Sequence, residues 1–224
     1  MSRVDNYFLI LCSISYYQSD YLSVLDLRMG RQLKKQKFSY EINEMAWSFN
    51  SDHVLVTTGG SEMGGIDILG VKVNTDTADF VPVTSVAAHT SNCYCLKIDK
   101  NYRILALGSA DFLVSLWNLE DMVCHGTISC MDSPIRCLSF SSKGDYIAAA
   151  AEGNSLVICD TESAEQVMAI DCKSPLMALS WHPEHNIIAI APDADSAAED
   201  SPRYRNSDRK QYVQLVSFET TSRK

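Results

Sequence analysis

A chain of 224 residues, 46% hydrophobic and 21% charged, has the composition of a protein that buries a core, not of a disordered or fibrous one. Its formal charge of −9 argues against a surface built to neutralise phosphates, which needs concentrated Lys and Arg. Eight cysteines (Cys12, Cys93, Cys95, Cys124, Cys130, Cys137, Cys159 and Cys172) show no CxxC spacing and fall mostly in apolar runs, so zinc and a disulfide framework are not expected and a reducing intracellular compartment is favoured.

The first apolar run, Tyr7–Tyr17, is too short for a membrane-spanning helix of about 20 residues. The preceding MSRVDN has no net basic character, so a signal peptide is not expected either. Asn6–Ser13 (NYFLILCS) instead parallels Asn101–Ser109 (NYRILALGS) as a strand. Tyr21–Leu27 (YLSVLDL) follows as a second strand before a turn at Met29 and Gly30, and RQLKKQKFSY from Arg31 reads as an outer strand.

A repeat then emerges. MAWS around Trp47, LKID around Ile98, LSFS around Phe140 and LSWH around Trp181 recur at offsets of 51, 42 and 41 residues. Each copy continues with a polar turn (NSDH, DKNY, SKGD, HPEH), an apolar run (VLVTTG, ILALGS, YIAAAA, IIAIA), another turn and a third strand (GIDILGV, FLVSLWNL, SLVICDT, YVQLVSF). The runs are short, rich in Val, Ile and Leu, and bounded by Gly, Asn, Asp and Ser, which is a strand signature. A period of about 40 to 45 residues with several strands per unit belongs to WD-type propeller blades.

The predicted fold is therefore all-β, an incomplete WD-repeat β-propeller of about four and a half blades. Its bounds read 1–30 (partial blade), 31–87, 88–129, 130–171 and 172–220. A polar insertion at 193–211, between the second and third strands of the last blade, reads as a solvated loop. The blade count leads to the expectation that an N-terminal portion is missing or that something else completes the ring, since an open propeller leaves an unpaired edge.

In the segment Ala88–Asp121, His89, Ser109, Asp111 and Trp117 stand at the spacing of a structural hydrogen-bond relay within one blade. A buried polar group without partners is costly, so four such groups satisfying one another would hold three strands in register. His89, Ser109 and Asp111 are also the residue types of a hydrolytic triad, but Trp117 in its blade position makes the four a packing device. In the next blade Pro134 stands for the loop histidine, Glu152 for the turn aspartate and Ile158 for the tryptophan. No catalytic, cofactor-binding or metal-binding residue is expected.

Other chemistry-bearing runs have plainer readings. His182–His185 (HPEH) reads as a strand-connecting turn and not a metal site, with His53 in the corresponding turn of an earlier blade. Gly59, Gly60, Gly64 and Gly65 lack the following Lys-Ser or Lys-Thr and the helix that a phosphate loop needs. Cys93 and Cys95 are expected on opposite faces of one strand. Two basic clusters, Arg31, Lys34, Lys35 and Lys37 on an outer strand and Arg203, Arg205, Arg209 and Lys210 in the long loop, are candidates for RNA or acidic partners, or for protection of a sheet edge.

Beyond generic WD repeats, the blade order resembles the THO complex subunit 3 family, the propeller subunit of the THO/TREX assembly. The resemblance is carried by FSYEINEMAWS, AHTSNCYCLKID, LGSADFLVSLWNLEDMVC, SPIRCLSFSSKGDYIAAAAE and SPLMALSWHPEHNIIAIAPD, and covers about residues 21–218. It implies a seven-bladed, non-enzymatic scaffold in nuclear mRNA export, with this chain matching the later blades. Its implied partners are other THO/TREX protein subunits, with RNA reached through the complex, and no membrane, small-molecule substrate or cofactor. The alternative is a WD-repeat adaptor in another assembly, such as a ubiquitin-ligase or chromatin complex.

Overall fold

The computed structural model describes residues 8–12, 20–59, 63–193 and 213–217. Among them there are eighteen strands and no helix, as the sequence predicts. Two compact units divide the chain at Leu96 and Lys97.

The first unit holds a three-stranded sheet of β1 (Phe8–Cys12), β2 (Tyr21–Asp26) and β3 (Arg31–Lys37), and a four-stranded sheet of β4 (Met45–Trp47), β5 (His53–Thr58), β6 (Gly64–Val73) and β7 (Ala78–His89). The division runs through β8 (Cys93–Ile98), which forms a sheet with β9 (Ile104–Ser109), β10 (Val114–Asn118) and β11 (Val123–Ile128). The second unit continues with β12 (Ile135–Phe140), β13 (Tyr146–Ala151), β14 (Ser155–Asp160) and β15 (Gln166–Asp171), then with β16 (Leu176–Trp181), β17 (Ile187–Pro192) and β18 (Gln214–Ser217). Strands follow chain order within every sheet, so short turns suffice to connect them. The insertion between β17 and β18 lies outside the described residues apart from Asp193.

The apolar runs become the second strands β5, β9 and β13, each buried at four or five consecutive positions. Strands buried on both faces lose the polar alternation of a half-exposed sheet. Within each unit, residues of β5 and of β13 pack on a neighbouring sheet. In the first unit Leu22 and Val24 of β2 share a core with Ile42, Val54, Val56, Leu69 and Phe80. In the second, Ala148, Ala150, Leu156 and Ile158 pack with Leu176, Leu179, Trp181, Ile188 and Ile190 of the next sheet. Each fully buried Leu or Ile contributes about 1.5–3 kcal/mol relative to exposure. Outer strands β3, β11 and β15 are largely exposed.

A register shift recurs at one step of the third and fourth strands: between Val24 and Leu25, Ile68 and Leu69, Leu116 and Trp117, and Ile158 and Cys159. This bulge and the second-strand pairing fix the repeat alignment. Trp117 pairs with Leu105, and Cys159, 42 residues on, pairs with Ile147. Cys159 and not Ile158 thus occupies the tryptophan position of its blade, and by the same offset Gly153, not Glu152, stands for Asp111. The sequence alignment was one residue out because that blade carries no tryptophan to anchor it.

Candidate functional site

The polar residues that recur with the repeat organise its turns. After the first strand of four successive sheets comes a six-residue turn closed by a backbone bond between its ends: Ser48 N to His53 O (3.0 Å), Asp99 N to Ile104 O (2.9 Å), Ser141 N to Tyr146 O (2.8 Å) and His182 N to Ile187 O (2.7 Å). In every case the first residue's side chain also accepts backbone N–H groups of the turn. Asp99 is the most heavily used. Its Oδ1 accepts from Arg103 N at 2.6 Å and Ile104 N at 2.7 Å, and its Oδ2 from Asn101 N at 3.2 Å.

Ser48 and Ser141 take one such bond each, from His53 N (3.2 Å) and Tyr146 N (3.0 Å). His182 Nδ1 accepts from Glu184 N and His185 N, both at 3.1 Å, and its ring stacks on His185 at 4.7 Å. The HPEH run is therefore a turn whose Nδ1 is engaged by backbone. Three of these turns place a residue in the left-handed region, Ser51, Tyr102 and Gly144. Gly144 has φ +81°, and a Cβ there would lie 3.1 Å from Asp99 Oδ2.

A second acceptor position ends the third strand. Asp26 Oδ1 accepts from Arg28 N (2.9 Å), Asn118 Oδ1 from Glu120 N (2.9 Å), and Asp160 Oδ1 from Glu162 N (3.1 Å), Ser163 N (2.9 Å) and Ser163 Oγ (3.1 Å). These are local Asx-type turns that satisfy backbone donors where the sheet ends. Sequence reasoning passed over both positions, although each recurs with the period already found.

Of the residues singled out as a relay, His89 ends β7 in the first unit and is buried, and Ser109 ends β9 with no exposed surface. Asp111 and Ser109 shape the β9–β10 turn: Ser109 Oγ accepts from Asp111 N (3.2 Å) and Asp111 Oδ1 from Leu113 N (3.2 Å). Trp117 Nε1 donates to Ser115 Oγ at 2.7 Å on its own strand.

Cys93 and Cys95 are both buried. The expectation of opposite faces fails because strand side chains alternate with period two, so residues two apart share a face. Gly64 and Gly65 sit where β6 meets neighbouring backbone: added Cβ atoms would lie 2.0 Å from Ser91 O and from Val86 O. They serve close approach in a sheet. Gly60 lies outside the described residues. Among those described, no group of three or more His, Cys, Asp or Glu could hold a metal ion.

The basic strand β3 is matched by acidic residues. Arg31 Nη2 meets Asp76 at 2.8 Å, Lys34 meets Asp79 at 2.9 Å, and Lys37 meets Asp20 at 3.3 Å, while Lys35 lies 4.4 Å from the centre of the Tyr21 ring. The second cluster, Arg203, Arg205, Arg209 and Lys210, lies outside the described residues. In the same unit the Tyr40 hydroxyl donates to Asp67 Oδ2; burial first, then this bond and the carboxylate's charge, push its phenol well above the ordinary tyrosine range.

Within the second unit, a cavity of about 470 Å³ is lined by Arg103, His125, Asp145, Tyr146, Asp160 and Glu162, among others. Its walls combine strand residues (Ile104, His125, Tyr146 and Asp160) with adjoining turn residues (Arg103, Asp145 and Glu162) of two neighbouring sheets. His125 Nε2 is 3.2 Å from Thr161 O, and the Thr161 hydroxyl donates to Gly144 O at 2.6 Å. The lining mixes both charge signs, with Arg103, Asp145 and Glu162 exposed and Asp160 buried.

Residues 93–184 match the family described as the anaphase-promoting complex subunit 4 WD40 domain. This chain is built from WD repeats. The WD-repeat chain is 34% identical to THO complex subunit 3 of Arabidopsis thaliana over 204 residues, 91% of its own length and 60% of that relative's. WD repeat-containing protein AAC3 of Dictyostelium discoideum is 32% identical over 197 residues, 88% of this chain and 39% of the relative. Periodic tryptophan protein 2 of Saccharomyces cerevisiae is 27% identical over 99 residues, 43% and 11% of the two lengths. The resemblance to THO complex subunit 3 read from the sequence is borne out, and the chain spans less than two thirds of the length of each of these relatives. Together the matches support a WD-repeat scaffold.

Proposed function

We propose that this chain is a non-enzymatic scaffold subunit of a THO/TREX-like complex acting in nuclear mRNA export coupled to transcription and processing, with other subunits of that complex as its protein partners. The observation that carries the reading is the 34% identity to THO complex subunit 3 across 91% of the chain. The structure supports the scaffold part in physical terms, because the recurring polar side chains serve turns and leave loops and cavity walls as contact surface. RNA is reached through the complex; the pairing of Arg31, Lys34 and Lys37 with carboxylates supports that view, since neutralised cations have little left for phosphates.

On this reading the chain is one WD-repeat propeller domain with blades near the bounds 1–30, 31–87, 88–129, 130–171 and 172–220. His89, Ser109, Asp111 and Trp117 act structurally within it. The test is affinity purification of the tagged chain from its own cells followed by mass spectrometry. Recovery of THO subunits in stoichiometric amounts supports the proposal, and their consistent absence removes it. The family match over residues 93–184 favours one second reading, an adaptor in another multisubunit assembly; that reading predicts a reproducible set of partners without THO subunits.

A further inference from the structure

Cys130 and Cys159 bring their sulfur atoms to 4.0 Å, both within the second unit. The two differ in surroundings. Cys159 lies in β14 at the position where the preceding blade carries Trp117, directly after the bulge, and has no exposed surface. Cys130 is exposed and belongs to the connection between β11 and β12, outside any ladder. A disulfide needs the sulfurs about 2.05 Å apart. Rotation of an exposed cysteine on an unpaired segment can supply that approach, while the strand holds the other sulfur in place.

We propose that Cys130 and Cys159 form a reversible disulfide when the protein meets a peroxide, clamping the β11–β12 connection onto β14. The accessible Cys130 reacts first: its thiolate attacks one peroxide oxygen, the O–O bond breaks, and Cys130 becomes a sulfenic acid as water leaves. The Cys159 sulfur then attacks the Cys130 sulfur, the S–O bond breaks, and the oxygen departs as a second water carrying the Cys159 proton. Overall, two thiols and one peroxide give one disulfide and two waters, the sulfurs being oxidised and the peroxide reduced. A thiol reductant restores both cysteines by exchange.

The order of events follows from the environments. Burial, and then the neighbouring Cys130, push the Cys159 thiol far above the usual range, so it is the poorer first nucleophile and acts as the resolving partner by proximity. Cys124 is also exposed, but its sulfur is directed to Gly126 O at 3.4 Å.

The experiment treats the folded full chain with a slight excess of hydrogen peroxide, blocks free thiols, and maps disulfides by fragmentation mass spectrometry without reduction. The expected result is a Cys130–Cys159 link that dithiothreitol reverses, that Cys130→Ser abolishes and that Cys124→Ser leaves intact. The linked form should also unfold at higher urea concentration than the reduced form, because the link constrains the unfolded chain. Cys130 found as sulfinic acid beside a free Cys159, or joined to a different cysteine, overturns the proposal.

Discussion

Replacing Asp99 with alanine tests how the repeat is held together. The carboxylate has no exposed side-chain surface and accepts three backbone N–H groups, from Asn101, Arg103 and Ile104. Hydrogen bonds to a charged acceptor contribute about 1.5–3 kcal/mol each. Asn101 and Arg103 are exposed, so water replaces the carboxylate at their amides, whereas the half-buried Ile104 amide loses its acceptor at the start of β9. The net loss is then about 2–3 kcal/mol, one poorly replaced charged bond plus the loosened turn. For a chain of this size that corresponds to a Tm lower by roughly 4–12 °C.

Urea unfolding followed by far-UV circular dichroism, with thermal melts alongside, measures it. Asp99→Ser should recover part of the loss, because Ser48 and Ser141 fill the same position with a single acceptor. Asp99→Ala within about 0.5 kcal/mol of the parent, the range of ordinary surface changes, would refute the reasoning. So would Asp99→Ser no better than alanine.

Gly144→Ala should cost about 1–2 kcal/mol, the penalty of the left-handed conformation for an L-residue, with a further contribution from Asp99 Oδ2 that a double mutant with Asp99→Ala would reduce. Tyr40→Phe removes the donor to Asp67 and should destabilise by about 1–3 kcal/mol by leaving a partly buried carboxylate short of a bond. The raised Tyr40 phenol stabilises the fold fully below the unfolded tyrosine value of about 10 and loses that contribution as pH rises through the folded value. The stability difference between parent and Tyr40→Phe should therefore shrink in alkaline urea titrations and stay constant from pH 6 to about 9; a difference already falling in that range contradicts the assignment. His182→Asn, which keeps a side-chain acceptor, should melt closer to the parent than His182→Ala does, and added zinc should leave both melts unmoved.

The strands were legible because apolar runs such as Leu105–Leu107 and Ile147–Ala151 are dictated by burial on both faces, a local signal. Turn acceptors were not. Ser48, Asp99, Ser141 and His182 share a role without sharing a residue type, and what unites them is an available lone pair at one backbone position. Alignment of the third strand failed where Cys159 replaces tryptophan, since only strand pairing could fix it. The state of β3 was equally hidden: its cations meet Asp76 and Asp79, about 45 residues away in sequence, through sheet packing that no local window contains. His89, Ser109, Asp111 and Trp117 were singled out as a relay by spacing alone, and partner choice was readable only through resemblance, because contact surfaces carry no local rule.

Amide hydrogen exchange resolved to single residues puts the repeated blade itself to the test. Second strands β5, β9 and β13, enclosed by a strand on each side and a covered face above and below, should exchange slowest, while outer strands β3, β11 and β15 exchange faster. Protection that peaks in the outer strands, or that fails to recur with the spacing of Trp47, Ile98, Phe140 and Trp181, would contradict the account.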